Sequence, residues 1–112
     1  MIILNGSDLS GHKVVKAIRQ GQTIALDTGQ LEKVAQARSL VVSLLEQGQP
    51  IYGINTGFGK LADTSISNES VAELQRNLIL SHSCGVGEPF SGEVVKAMII
   101  LRANALMKGY SG

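Results

Sequence analysis

Cysteine, tryptophan and proline are scarce or absent in this sequence. The low numbers of cysteine and of aromatic residues limit the cross-links and the core that the fold can have. The single cysteine, Cys84, excludes an intramolecular disulfide and favours a reducing compartment. There is no tryptophan, and only four aromatic residues are available to fill a core. These four are Tyr52, Phe58, Phe90 and Tyr110. A chain of 112 residues with so few large side chains predicts one domain with a modest core of its own.

Charge is also sparse and nearly balanced. The formal net charge is +1 and charged residues make up 17% of the chain, so no electrostatic reason favours nucleic acid as a partner. The apolar stretch 94–107 is interrupted by Lys96 and Arg102 and is too short to cross a bilayer, so no membrane partner is predicted. Residues 2–4 are apolar but follow no basic segment, which argues against a secretory signal. We therefore predict a cytoplasmic protein.

What the sequence does contain is helical periodicity of apolar residues. This periodicity predicts a mainly α fold with short irregular or extended segments, the extended one near residues 23–26. The first helix can be capped by Ser7 or Asp8. The third can be capped by Asn68 or by a capping box formed by Ser70 and Glu73. The predicted helices cover about residues 8–20, 29–47, 68–84 and 91–108.

The last predicted helix differs from the others because apolar residues cover nearly its whole circumference. A helix that is apolar all round must be buried on all sides. Three partly amphipathic helices cannot easily surround it, so we expect the chain to be the N-terminal portion of a larger protein. Arg102 and Asn104 lie on this helix and need hydrogen-bond partners, which favours a structural network over substrate contact.

The segment between the second and third helices, residues 51–60, is rich in glycine. Glycine costs about 0.5–1 kcal/mol inside a helix or strand, so a segment with three of them predicts a loop that bends or closes. A tyrosine on such a loop, Tyr52, can serve as an acid or base. The alternative is a tight connection in which Tyr52 and Phe58 are apolar anchors, and the spacing alone does not decide between them. The glycines proposed as loop hinges are Gly53, Gly57 and Gly59.

Two other kinds of site are rejected. A phosphate-binding loop ending at Lys60 would need glycine where Ile54 stands and Ser or Thr where Leu61 stands. A zinc site would need more ligands than His12, His82 and Cys84 provide, so no metal is predicted.

Three segments resemble motifs of the aromatic amino-acid ammonia-lyases. Residues 52–59 read YGINTGFG and are similar to the tyrosine loop of that family. Residues 77–87, NLILSHSCGVG, resemble a second motif, and residues 101–106 with 109–112 resemble a third. The order and separations agree with the family over nearly the whole chain. The Ser81–His82 pair is similar to that of the histidine ammonia-lyases, although the tyrosine loop does not discriminate among family members.

The resemblance implies the N-terminal portion of a long-helix bundle and a homotetramer whose sites combine several subunits. It implies elimination of ammonia from L-histidine to give trans-urocanate, with Tyr52 exchanging the β-proton and Ser81 and His82 contacting the substrate side chain. Because a free phenol has a pKa of about 10, a phenolate base needs a stabilising group. Lys60 is the one cation within the loop, so we expect the stabilising group to lie outside this chain. His82 has a simpler alternative role, as a histidine stabilised by the helix dipole.

The family's electrophile, a methylidene-imidazolone, is formed from an internal Ala-Ser-Gly that does not occur here. Residues 110–112 read Tyr-Ser-Gly and are not that precursor. The chain alone is therefore expected to be inactive. Two alternatives stay open: a tyrosine or phenylalanine ammonia-lyase or aminomutase, and a short non-catalytic chain that binds a full-length lyase.

Overall fold

The computed structural model describes residues 1–111, which form two compact units. Unit 1 comprises Met1–Val41 with residues 88–111, and unit 2 comprises Val42–Gly87. Helices dominate the chain, as predicted. Gly112, the last residue of the third motif, lies outside the described residues.

Unit 1 begins with a small parallel sheet. Strand β1 (Ile2–Leu4) pairs with strand β2 (Ile24–Leu26), and Ile2 lies opposite Ile24. Parallel strands need a crossover connection, and here helix α1 (Gly11–Arg19) provides it. The extended segment near residues 23–26 was expected, but β1 was not, because three apolar residues are too few to show the alternation of a strand.

Helix α1 starts later than predicted. Its N-cap is Ser10, whose Oγ accepts a hydrogen bond from the backbone N of Lys13 at 3.3 Å. The prediction of Ser7 or Asp8 as the cap was wrong, since both precede Ser10 and Asp8 has a φ of +53°. An Ncap residue needs extended backbone, and Ser10 has it, with φ −85° and ψ 153°.

The remaining helices lie close to their predicted positions. Helix α2 spans Thr28–Glu46, and helix α4 spans Gly92–Leu106. Helix α3 spans Val71–His82 and follows a single 3₁₀ turn, Asn68–Ser70. The predicted Ser70–Glu73 capping box is absent from these described residues, because the Ser70 side chain accepts no capping hydrogen bond.

The core of unit 1 forms where α1 packs against α4 and the strands. Asn104 joins the same region, because its Oδ1 accepts a hydrogen bond from Gly6 N at 3.0 Å. This bond ties the chain after β1 to α4, which is a structural role. Arg102 is exposed and needs no buried partner. The buried apolar residues are Leu4, Val14, Ala17, Ile100 and Met107.

Helix α4 is covered on one side only. Its one buried residue is Ile100, while Met98 is 55% exposed and Ile99 is 63% exposed. Burial of this helix on all sides therefore does not occur within the described residues and stays a prediction about the larger protein. No helix in residues 1–111 is both long and apolar enough to cross a membrane.

Candidate functional site

The Tyr52 loop starts with a tight turn that follows α2. The backbone N atoms of Ile54 and Asn55 both donate to Ile51 O, at 3.0 and 3.2 Å. Gly53 has a φ of +81°, a conformation that glycine adopts without steric penalty. Tyr52 lies within this turn and is 64% exposed. The turn thus presents the tyrosine side chain outward on a closed backbone.

Asn55 fixes this turn from inside. It is only 2% exposed, and its Oδ1 accepts from Ile51 N at 2.7 Å while its Nδ2 donates to Gln49 O at 2.9 Å. The amide thus replaces backbone partners on the segment that precedes Tyr52. Because a buried polar group must find hydrogen bonds, this position requires a short side chain that both donates and accepts.

The glycines of the loop have different structural reasons. A Cβ on Gly57 would lie 2.5 Å from Leu61 O, so this glycine permits a close approach of two backbone segments. Gly59, like Gly53, has a positive φ, of +57°. A hinge motion of these glycines stays a prediction. Thr56, also 2% exposed, forms an isolated antiparallel bridge with Ser65 that closes the loop.

The ring and the hydroxyl of Tyr52 have separate environments. The ring makes an edge contact with Phe58, with centroids 6.0 Å apart and planes at 72°. Its Oη accepts from Gly59 N at 3.5 Å, which is a weak hydrogen bond. The oxygen is the acceptor in this bond whether the phenol is neutral or ionised. Tyr52 therefore contacts Phe58, as the anchor interpretation requires, and still has a hydroxyl open to a ligand.

Ser81 and His82 lie at the C-terminal end of α3, and both are exposed. The last carbonyls of a helix lack intrahelical partners. Here Ser83 Oγ donates to one of them, Ile79 O, at 2.6 Å, and Ser81 Oγ donates to the preceding carbonyl, Leu78 O, at 2.9 Å. The serines thus stabilise the helix end that carries the histidine.

The Leu78 carbonyl indicates which ring nitrogen of His82 carries the hydrogen in the neutral ring. His82 Nδ1 lies 2.9 Å from Leu78 O and 3.0 Å from Ser81 Oγ. A carbonyl oxygen can only accept, so Nδ1 carries the hydrogen. In a neutral ring, Nε2 is then an acceptor, and it has no hydrogen-bond partner in residues 1–111. His82 thus presents an available acceptor to a ligand.

Gln75 connects the two parts of the site. It lies on α3, half buried, and its Nε2 donates to Gly53 O at 2.8 Å and to Ile54 O at 3.2 Å. Tyr52 and His82 share no hydrogen bond within the described chain. Our reading of the sequence missed Gln75 and Asn55. A signal existed for Gln75: it is a polar residue on the stripe formed by Val71 and Leu78.

Cys84 and His12 do not belong to a metal-binding group of side chains in the described residues. Both are exposed, and no group of three or more His, Cys, Asp or Glu side chains in residues 1–111 is placed to hold a metal ion.

Residues 9–112 match the family profile of the aromatic amino acid lyases. The chain belongs to this family. Histidine ammonia-lyase of Natranaerobius thermophilus is 48% identical over all 112 residues. The chain spans 22% of the length of that relative, and the same share of the histidine ammonia-lyases of Fusobacterium nucleatum and Geobacillus thermodenitrificans.

Two solved structures show the same fold. The histidine ammonia-lyase from Trypanosoma cruzi has a TM-score of 0.86 and 37% identity, over 96% of this chain and 21% of its own. The tyrosine aminomutase from Streptomyces globisporus has a TM-score of 0.89 and 30% identity, over 96% of this chain and 20% of its own. The predicted family and the mainly α lyase fold are therefore confirmed.

Proposed function

We propose that the complete protein is a carbon–nitrogen lyase that eliminates ammonia from L-histidine to give trans-urocanate. The observation that carries the proposal is the 2.9 Å contact between His82 Nδ1 and Leu78 O, from which we assign the hydrogen to Nδ1 and the role of exposed acceptor to Nε2. An imidazole N–H of the substrate is a matching donor. The identity with histidine ammonia-lyases supports the same substrate.

In this proposal Tyr52 moves the β-proton of the substrate. Its hydroxyl is exposed, and the turn that holds it is fixed by Asn55 and Gln75, so the group is preorganised. Gly53, Gly57 and Gly59 would let the rest of the loop close over the site and exclude water. Ser81 contacts the substrate side chain together with His82, and its Oγ, 3.0 Å from Nδ1, also orients the imidazole.

The electrophile would come from elsewhere in the complete protein. These 112 residues contain no Ala-Ser-Gly, so none of them supplies its precursor. The chemistry that a methylidene-imidazolone would supply there is an electrophile for the substrate amine, which would make the amine a better leaving group. The residues present in this chain fit the other tasks of the reaction, which are recognition of the substrate side chain and transfer of the β-proton.

We also propose a homotetramer in the cytoplasm. The uncovered apolar side chains of α4, such as Ile99 at 63% exposed, support burial against further chain or other subunits. The exposed thiol of Cys84 supports a reducing compartment.

The likeness to the tyrosine aminomutase supports L-tyrosine or L-phenylalanine as an alternative substrate.

The deciding experiment measures rates of the complete protein on L-histidine, L-tyrosine and L-phenylalanine, with urocanate followed by its ultraviolet absorbance. We expect L-histidine to be preferred. His82→Leu should raise KM for L-histidine more than for L-phenylalanine, with His12→Leu as the matched control. A preference for L-tyrosine, or equal effects of His82→Leu on both substrates, would contradict the proposal.

A further inference from the structure

Gln75 lies outside the family motifs quoted above and is too far from the end of α3 to be part of the Ser81–His82 pair. Its Nε2 nevertheless donates to two consecutive carbonyls, Gly53 O at 2.8 Å and Ile54 O at 3.2 Å. These carbonyls belong to the two residues that directly follow Tyr52 in its turn. One side-chain amide therefore attaches the part of the turn next to Tyr52 to α3.

The position of Gln75 along α3 matters as much as its contacts. It precedes His82 by seven residues, which is about two helical turns or roughly 10 Å along the axis. Seven residues rotate the helix to within about 20° of the starting direction, so Gln75 and His82 lie on the same face of α3. A turn attached at Gln75 is thereby held along the face that carries the substrate-recognition histidine.

We propose that Gln75 is a positioning residue that sets the location of Tyr52 relative to His82. Asn55 gives the turn its internal shape, and Gln75 fixes the shaped turn to α3. Glutamine suits the task because its NH₂ group has two hydrogens for two carbonyls. The kinetic part of this inference rests on the proposed function, whereas the attachment of the loop does not.

The loop attachment is tested by amide hydrogen exchange of the complete protein. Gln75→Met keeps the length of the side chain and removes the donor, and Gln75→Glu keeps the shape but presents a carboxylate that only accepts. Loss of two hydrogen bonds should speed exchange of residues 51–59 by about tenfold in both variants. The matched control is Arg76→Gln, the next residue on an exposed position of α3, which should leave that exchange unchanged.

Kinetics separate positioning from general stability. We expect Gln75→Met to lower kcat on L-histidine by about tenfold while KM changes less than twofold, because Tyr52 is displaced and His82 is not. In a Tyr52→Phe background the same change should cost less than about twofold, since the displaced hydroxyl is already missing. Equal fractional losses in the two backgrounds would overturn the positioning role.

Two results would overturn the attachment itself. The first is unchanged amide exchange of residues 51–59 in both Gln75 variants. The second is amide exchange that becomes faster in unit 1 to the same extent as in residues 51–59. If the complete protein acts on none of the three amino acids, the proposed function fails while the exchange experiment still decides whether Gln75 holds the loop.

Discussion

The two units of this chain bury opposite kinds of side chain. In unit 1 the buried side chains are apolar, with Leu4 at 1% exposed and Val14 at 2%. In the described part of unit 2 they are polar, Asn55 and Thr56, each at 2%. Burial of apolar area stabilises through many weak contacts in any direction, whereas hydrogen bonds fix direction. Unit 1 therefore supplies stability, and unit 2 supplies geometry.

This contrast agrees with where the candidate site lies. Tyr52, Gln75 and His82 all belong to unit 2. A catalytic side chain must be held in a defined orientation, and a few hydrogen bonds to a loop achieve that without a packed core. The α3 helix itself has no buried residue in this chain, so its apolar stripe is free to pack against other parts of the complete protein.

The largest expected effect separates the two tyrosines. Tyr52→Phe in unit 2 should lower kcat on L-histidine by about 10²–10⁴-fold, because a positioned proton-transfer group contributes that much. Tyr110→Phe in unit 1 is the matched control: Tyr110 is 90% exposed and belongs to the other unit, so we expect no loss. Steady-state kinetics of the complete protein measure both. A Tyr52→Phe rate close to wild type would remove Tyr52 from the chemistry.

The next effect tests the apolar half of the comparison. Leu4→Ala removes a fully buried side chain from unit 1 and should cost about 2–5 kcal/mol of local stability. We expect faster amide exchange in β1, α1 and α4 of the complete protein, with residues 51–59 unaffected. Leu40→Ala, at a position 61% exposed, serves as the control. If exchange of the Tyr52 loop also rises, the two units are not independent in stability.

The smallest effect tests the polar half. Asn55→Ala leaves Ile51 N and Gln49 O without their side-chain partner and should cost about 1–3 kcal/mol, confined to unit 2. Amide exchange of residues 49–59 measures it. Asn68→Ala removes an exposed amide that makes one long bond, 3.4 Å to Leu45 O, and should change little. Equal effects of the two substitutions would show that burial of Asn55 is unimportant.

Local patterns predicted most of the helices because their signals lie within a few residues. Helix α2 was predicted to start near Gly29 and starts at Thr28. The two agree closely because the spacing of apolar residues is a property of the helix itself. The cap of α1 was misplaced because Ser7, Asp8 and Ser10 are all suitable capping residues. Their backbone angles decide among them, and only the folded chain determines those angles.

Motif order and periodicity are visible along one dimension, so the family, the helices and the glycine-rich loop with Tyr52 could be predicted from the residues alone. How that loop is held follows from contacts between distant parts of the chain. The bonds from Gln75 join residues that are 22 and 21 positions apart, and strand β1 pairs with a strand reached through a whole helix. Periodicity can mark Gln75 as unusual but cannot name the partners in such contacts, because these residues become neighbours only when the chain folds.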